Sequence, residues 1–267
     1  MRKKGILFIS FVVILFVVSF AHEYILIAEK YSLEKGDTLE MHLFVADGFN
    51  IELERQMQSK MTKKFELLNE NGRTDLLAST QDGSFPIVKT KVDFVGLGLV
   101  HIERDYAKIT LTTSKFLDYL KEDNIENIIV SEVQAKKSQR ERYSRYIKAL
   151  VQSGEIKNDT LYKTQIGQKF EIILLQNPYK LDKGNVLSAQ ILFNGRPLIN
   201  KIITARNRIG NKPSLEIKSR TNSNGICNFK LVREGVWFIH ATHMIPCEDK
   251  TEADWESFWA SYSFGLN

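Results

Sequence analysis

The junction "SFAHEY" places His22 directly after Ala21, a small residue at the end of an apolar leader. Cleavage after Ala21 would make His22 the first residue of the mature chain, with a free α-amine beside its imidazole. The intrinsic pKa of an α-amine is about 8, so it can lose its proton to a metal ion near neutral pH. Amine and imidazole together would form a chelate suited to Ni(II) or Cu(II), both of which favour nitrogen donors.

Two further histidines, His240 and His243, are the natural partners for this chelate. They lie three residues apart on a predicted strand, where successive side chains alternate, so a regular strand would direct them to opposite faces. Both could bind one ion only if the strand ended or bulged between them. We favour His243 as the ligand because it lies nearer the strand end, with His240 beside it. The alternative is that both are ordinary structural histidines.

Oxygen ligands could come from Asp47 and Glu23. Asp47 stands in "VADGF", where an Asp-Gly turn explains it equally well. The remaining histidines, His42 and His101, lie within strand patterns, and we expect them to be structural.

The mature chain has two cysteines, Cys227 and Cys247. Export would take them to an oxidising compartment, where they could either form a disulfide with each other or remain free thiols. Two lone thiols do not form a metal-binding motif.

Motifs for catalysis are absent from the sequence. There is no P-loop, dinucleotide fingerprint or H-E-x-x-H. The segment "VQSGE" is a predicted helix end and "TNSNG" a turn, so neither is a nucleophile elbow. We therefore predict a binding protein and not an enzyme; the catalytic alternative is oxygen activation at a terminal-histidine copper site.

The first 21 residues have the pattern of a secretory signal peptide. Residues 2–4 are basic, the 16-residue apolar run "ILFISFVVILFVVSFA" follows, and Ser19 and Ala21 supply the small residues of a cleavage site. The run is shorter than the roughly 20 residues that span a bilayer, so we expect removal; an uncleaved anchor is the alternative. The prediction is a protein of the periplasm or cell envelope with no stable membrane span after cleavage.

The charge balance gives no reason to expect a nucleic-acid partner. The whole chain has 37 basic and 32 acidic residues, a net charge of +5, but three of the basic residues belong to the leader. No long basic stripe with interleaved aromatic residues occurs in the rest of the chain.

We predict a mainly all-β protein of two β-sandwich modules, at 22–112 and 167–267, with a helical insertion or bridge at 113–166. The N-terminal module shows strand-like runs on either side of the turn Lys35-Gly36-Asp37 and a hairpin signal at Asn71-Gly72. The insertion contains "SKFLDYLKEDNIENIIV" and "SQRERYSRYIKALVQSG", whose apolar spacing of three and four predicts two helices.

In the C-terminal module, "FNGRPLINKIITA", "TNSNGICNFKL" and "REGVWFIHATHM" each combine a turn with a strand. This order resembles the transthyretin-like or carboxypeptidase-regulatory-like β-sandwich, an Ig-like fold that implies nothing about function. In the tail, Trp255, Phe258, Trp259 and Tyr262 have the spacing of a helical turn, and we expect them to seal a core. A carbohydrate-stacking surface is the alternative.

Several segments together resemble the bacterial domain-of-unknown-function family 4198, notably "AHEYIL", "ERYSRYIKAL", "FNGRPL", "GVWFIHATHM" and "ADWESFWAS". Members are often labelled periplasmic components of cobalt or nickel transport systems. The family's "A-H-D/E" pattern corresponds to residues 21–23, and its "W-x-x-H-x-x-H" pattern to Trp237, His240 and His243. Cys247 departs from the family pattern.

These observations predict an exported protein that binds Ni(II), Co(II) or Cu(II) and supports metal uptake or delivery, with a membrane transporter component as its partner. The expected ligands are His22, His243 or His240, and Asp47. The alternative is a metal-free envelope protein that uses its β-sandwich modules to contact other molecules.

Overall fold

The computed structural model describes residues 23–155, 160–210 and 212–266. The predicted signal peptide at 1–21 and the junction residue His22 lie outside the described residues. The described part of the chain forms three β-sheets and two short α-helices, α1 at Thr113–Glu122 and α2 at Val130–Gln134.

The strands of the described residues are numbered in chain order. They are β1 Glu23–Ala28, β2 Ser32–Leu33, β3 Thr38–Asp47, β4 Asn50–Arg55, β5 Thr62–Asn69, β6 Gly72–Asp75, β7 Val88–Lys91, β8 Gly96–Thr112, β9 Ser138–Ser153, β10 Phe170–Leu174, β11 Val186–Phe193, β12 Arg196–Pro197, β13 Ile202–Arg208, β14 Leu215–Arg220, β15 Ile226–Lys230, β16 Gly235–Pro246 and β17 Trp255–Leu266. Single 3-10 turns lie at Ser59–Met61, Leu161–Lys163 and Pro178–Lys180.

A nine-stranded central sheet runs through the described structure in the order β14-β13-β16-β17-β9-β8-β5-β6, with β2 beside β9. Its middle strands are long: β8 has 17 residues and β9 has 16. Strand β17 lies between β16, to which it is antiparallel, and β9, to which it is parallel. The central sheet therefore joins strands from both predicted modules and from the predicted bridge.

Two four-stranded sheets cover opposite faces of the central sheet. The N-terminal cover sheet consists of β1, β3, β4 and β7, and the C-terminal cover sheet of β10, β11, β12 and β15. Successive side chains along β8 and β9 point alternately toward the two cover sheets. The cross-strand pair Leu99 and Leu150 belongs to the core of the C-terminal cover sheet, whereas the next pair, Val100 and Ala149, belongs to the core of the N-terminal one.

The all-β, sandwich-like fold class predicted from the sequence is confirmed. The predicted module boundaries, at 112/113 and 166/167, separate segments that all contribute strands to the central sheet. The division into two modules stays a prediction. The hairpin expected at Asn71-Gly72 is present as β5–β6, with Asn69 opposite Gly72.

The first predicted helix of the bridge is present as α1, but the second is wrong. Residues of "SQRERYSRYIKALVQS" form β9, in the middle of the central sheet. The C-terminal half of this strand is buried on both faces, so its apolar residues do not alternate. Pairing with β8 and β17 outweighs the helix propensity of its Ala, Leu, Lys and Arg residues.

The helical turn predicted for the aromatic tail is also wrong. Trp255, Phe258, Trp259 and Tyr262 lie on β17, every residue of which is buried. Aromatic side chains therefore occupy both faces: Trp259 packs under the helices, and Phe258 and Tyr262 pack toward the C-terminal cover sheet. They seal a core, as the sequence predicts, but from a strand.

Both cysteines are free thiols and buried. Cys227 on β15 lies opposite Ala189 of the C-terminal cover sheet, while Cys247 follows β16 in the central sheet. The two thiols make separate contacts, Cys227 with the Ala189 carbonyl and Cys247 with that of Asp249. Within the described residues, neither helix has the length and apolar character needed to cross a bilayer.

Candidate functional site

Glu23, Asp123, Arg206 and His240 come together on the face of the central sheet that carries β1 and α1; we call them the carboxylate–histidine cluster. Glu23 opens β1, Asp123 directly follows α1, Arg206 lies on β13 and His240 on β16. Strands β13 and β16 are neighbours, and Thr204 pairs with His240. The cluster therefore forms only when four separate elements have docked.

Glu23 is the most completely bonded member of the cluster. Its Oε2 accepts a hydrogen bond from the backbone N–H of Gly48 at 3.0 Å, and its Oε1 accepts one from Arg206 Nη1. Arg206 Nε in turn donates to Glu216 at 2.9 Å. Burial raises the pKa of the Glu23 carboxyl, while the Arg206 charge acts in the opposite direction.

The Asp47-Gly48 turn closes over this ion pair. Gly48 has a φ of +61°, in the left-handed region that glycine adopts without strain. A Cβ on Gly48 would lie 3.3 Å from Cδ of Arg206. Asp47 therefore does open a turn, and that turn also holds Glu23 and Arg206 in place.

Asp123 is positioned by the end of α1. The helix begins at a Thr112 cap, whose hydroxyl accepts from Lys115 N at 3.4 Å, and ends where Asn124 takes a φ of +54°. Lys201 donates to the backbone carbonyl of Asn124 at 2.9 Å, and Lys218 to its side chain at 3.2 Å. These two lysines fix the helix end against the central sheet.

The Asp123 carboxyl is an incompletely bonded buried acid. Its side chain is 8% exposed, and Oδ1 lies 3.6 Å from Nε2 of His240. Its Oδ2 has no hydrogen-bond partner among the described residues. Burial raises the pKa of Asp123 to about 7, against the opposing charges of Lys201 and Arg206.

His240 supplies a neutral nitrogen beside these carboxyls. Its Nε2 lies 3.8 Å from Glu23 Oε1 and 3.1 Å from the Thr242 hydroxyl. Burial lowers the pKa of His240 to about 4, an effect that the nearby Glu23 opposes. The ring is therefore neutral at pH 7, the form in which imidazole binds metal ions.

An acidic cleft of about 290 Å³ opens above the cluster. Five carboxylates and two cationic side chains line it: Glu23, Asp47, Glu122, Asp123, Glu216, Arg206 and Lys218. This excess of carboxylates would attract a cation from solution. His240 is not among the lining residues, but its Nε2 lies within 4 Å of both Glu23 and Asp123.

His243 lies on the opposite face of β16 from His240. Strands β16 and β17 pair without a register shift, so the two histidines alternate as the sequence rule predicts. The His243 ring packs edge-on against Phe193 at 4.5 Å, and burial lowers its pKa to about 4. His240, and not the favoured His243, is therefore the histidine that the fold places beside Glu23.

His42 and His101 lie apart from the carboxylate–histidine cluster. His42 lies between Glu54 and Glu29 on the N-terminal cover sheet, at 2.6 and 3.1 Å, and His101 Nε2 lies 2.7 Å from Glu66 Oε2. His22 lies outside the described residues. Among the residues that are described, no group of three or more His, Cys, Asp or Glu side chains is arranged to hold a metal ion.

Sequence reasoning missed Asp123 and Arg206. Asp123 stands in "KEDN" at the end of a correctly predicted helix, where an Asp-Asn pair signals a helix terminus but not a site. Arg206 stands in an ordinary strand. Only the docking of α1 and β13 brings them to His240.

The architecture and the cluster define a β-sandwich protein with a buried carboxylate–histidine site. Residues 19–245 match the family described as "Domain of unknown function (DUF4198)", and the chain belongs to this family. The resemblance predicted from the sequence motifs is thereby confirmed. No curated protein matches the chain.

Two solved structures show limited similarity. One is the "tetra-tandem repeat in extending region of large adhesion protein", at 10% identity and a TM-score of 0.23, covering 92% of this chain. The present protein spans 50% of the length of this adhesion-protein chain. The other is the "D0-D1 domain of Intimin", at 10% identity and a TM-score of 0.21, covering 90% of this chain and 97% of that one.

Proposed function

We propose that this protein is exported to the periplasm or cell envelope, where it binds Ni(II), Co(II) or Cu(II) at the acidic cleft and supports metal uptake or delivery. Its partner would be a membrane transporter component. The observation that carries the proposal is the neutral His240 nitrogen 3.6 Å from Asp123, whose second oxygen has no partner among the described residues.

The donor types and spacing fit a transition metal. Two ligands bound at about 2.1 Å lie about 3.0 Å apart when adjacent in square-planar geometry and about 3.4 Å apart in tetrahedral geometry. His240 Nε2 and Asp123 Oδ1, at 3.6 Å, would therefore have to move slightly closer on binding. Glu23 already binds Arg206 and Gly48, so we assign it to positioning and not to ligation. Asp47 would contribute negative charge at the cleft mouth.

Two described donors are too few, and the proposal therefore includes His22. In the sequence His22 immediately precedes Glu23, which is one of the residues that line the acidic cleft. After cleavage at Ala21 its amine and imidazole would complete a set of three nitrogens and one oxygen, which suits Ni(II) and Cu(II). His243, on the other face of β16, is outside this set.

The test is titration of the mature protein, beginning at His22, with each of the three ions by calorimetry. We expect about one equivalent bound. One extra residue before His22 should abolish binding, and His240→Gln should weaken it at least about tenfold. His243→Gln is the matched control and should leave the affinity unchanged.

The outcomes separate the parts of the proposal. Unchanged affinity in the extended protein would refute the terminal chelate. No binding by the native sequence would refute the metal function and favour the metal-free envelope protein. Mass analysis of protein isolated from cells should give a chain that begins at His22; an intact leader would refute cleavage.

Metal affinity should also depend on pH. Asp123 must lose its proton to act as a ligand, and its pKa is about 7 in the folded protein. Affinity should therefore fall as pH drops through 7. In Asp123→Asn the affinity should be low throughout and this part of the pH dependence absent, as measured by titration between pH 6 and 8.

A further inference from the structure

Three arginines converge where the N-terminal cover sheet meets the middle of the central sheet. Arg104 on β8 and Arg145 on β9 lie directly opposite each other in an antiparallel pair. Both guanidinium groups face the ring of Tyr24, at 5.8 and 3.9 Å from its centre. Arg55, at the end of β4, is close enough that its charge contributes to lowering the pKa of Arg104, an effect due mainly to burial.

Within the described residues, none of these three arginines forms an ion pair with a carboxylate. Arg104 donates only to neutral oxygens, those of Gln58 at 2.5 Å and Thr62 at 3.4 Å. The Nε atoms of Arg55 and Arg145 are buried without a hydrogen-bond partner in the described part of the chain. Like charges directly opposite in a sheet and unpaired buried donors both destabilise a fold.

Other arginines of the central sheet pair with carboxylates. Arg142, three residues before Arg145 on the same strand, pairs with Glu256 at 2.5 Å while stacking over Tyr106. Arg140 pairs with Asp254 at 3.3 Å. Arg145 therefore differs from Arg140 and Arg142 in having no carboxylate partner among the described residues.

Glu141 is the carboxyl that comes into range of Arg145, and it does not serve as its partner. Its Oε1 accepts from the Tyr119 and Ser257 hydroxyls. Burial raises its pKa to about 7, and the charge of Arg145 reduces that rise without forming an ion pair. Glu141 therefore does not supply Arg145 with an ion-pair partner.

The surroundings hold these arginines in a fixed, reachable geometry. The Arg145 guanidinium lies 3.9 and 4.6 Å from the ring centres of Tyr24 and Tyr143, and these cation–π contacts fix its position. Pairing of β8 with β9 shifts register immediately after Arg104. Such bulges redirect side chains and are common beside binding sites. Arg55, Arg145 and Tyr24 are half-buried and accessible from solvent.

We propose that Arg55, Arg104 and Arg145 bind an oxyanion group with two negative charges, of the phosphate or sulfate class. Planar guanidinium groups donate paired hydrogen bonds to such oxygens, and the two charges would offset the mutual repulsion of the arginines. The site lies on different residues from the proposed metal site and does not depend on it.

The test uses calorimetry on the full mature chain at low ionic strength with a chelator present, so that metal binding plays no part. Inorganic phosphate and inorganic sulfate are titrated separately, with acetate and chloride as singly charged references. We expect saturable binding of phosphate or sulfate, which names the preferred anion, and none of the references. In Arg104→Gln and Arg145→Gln the affinity should be at least about tenfold lower.

Arg142→Gln is the matched control, because it removes a stacked arginine that already has a carboxylate, and it should retain the affinity. Circular dichroism establishes that each variant is folded. If Arg145→Gln does not fold, Arg145→Lys keeps the charge but loses the paired donors, and it should bind at least several-fold more weakly. Equal binding by the native, Arg104→Gln and Arg145→Lys proteins, or no binding beyond that of chloride, would overturn the proposal.

Discussion

Glu141 illustrates what burial does to a single carboxyl in this protein. It lies beneath α1, hydrogen-bonded by Tyr119 and Ser257, and its pKa rises from 4.5 to about 7 because burial disfavours its charged form. In the unfolded chain the same group ionises near its ordinary pKa. Ionisation of Glu141 therefore favours the unfolded chain, and its contribution to stability is lost as pH rises from 4.5 to 7.

Glu141→Gln should reveal this dependence. Glutamine keeps a carbonyl oxygen for the two hydroxyls but cannot ionise, so the variant should gain stability relative to the native protein as pH rises. Urea unfolding at pH 5 and pH 8 measures the difference. A variant whose relative stability is the same at both pH values would contradict the raised pKa.

At the residue scale the sequence names candidates but not their contacts. Residue type and position select His22, Glu23, Asp47, His240 and the favoured His243. Glu23, Asp47 and His240 lie in or beside the acidic cleft, whereas His243 lies on the other face of β16. The exclusion of a shared ion for His240 and His243 also follows from strand alternation alone. The convergence of Arg104 and Arg145 could not be predicted, because it depends on the register of two strands.

At the scale of elements, local signals were sufficient where an element lies at the surface of the fold. The β5–β6 hairpin and α1 were predicted because turn residues and a one-sided apolar pattern mark them. Strands β9 and β17 were mistaken for helices because all of β17 and the C-terminal half of β9 are buried on two faces and show no alternation. Their pairing with each other joins segments more than 100 residues apart, which no local pattern records.

A buried ion pair joins β10 to the central sheet: Lys148 Nζ lies 2.7 Å from Glu171 Oε1. Their side chains are only 2% and 1% exposed, and Lys148 also donates to the Ile172 carbonyl. Removing one member would leave the other charge buried and unpaired. Lys148→Met should therefore reduce the free energy of unfolding by about 3–5 kcal/mol, as measured in urea.

Two variants control that experiment. The double variant Lys148→Met/Glu171→Gln removes both charges and should be more stable than Lys148→Met alone. Lys89→Met breaks an exposed pair with Glu40 and should cost less than about 1 kcal/mol. A loss of under 1 kcal/mol in Lys148→Met would show that the buried pair does not hold the two sheets together.

At the scale of the whole molecule, the shared central sheet predicts cooperative unfolding. The predicted modules at 22–112 and 167–267 contribute strands to one hydrogen-bonded sheet, so neither half can lose its strands without exposing the other. Calorimetry of the mature protein should show a single transition with equal calorimetric and van't Hoff enthalpies. Two separate transitions would instead support independent modules.

The position of β17 also has a consequence for how the chain is made. During synthesis or translocation from the amino end, β9 is complete more than 100 residues before its neighbour β17. Until then β9 presents an unpaired edge, and the aromatic core around Phe258 and Tyr262 is missing. The central sheet therefore cannot close until the last strand has been made, and slow pairing over this separation would leave the β9 edge open to aggregation.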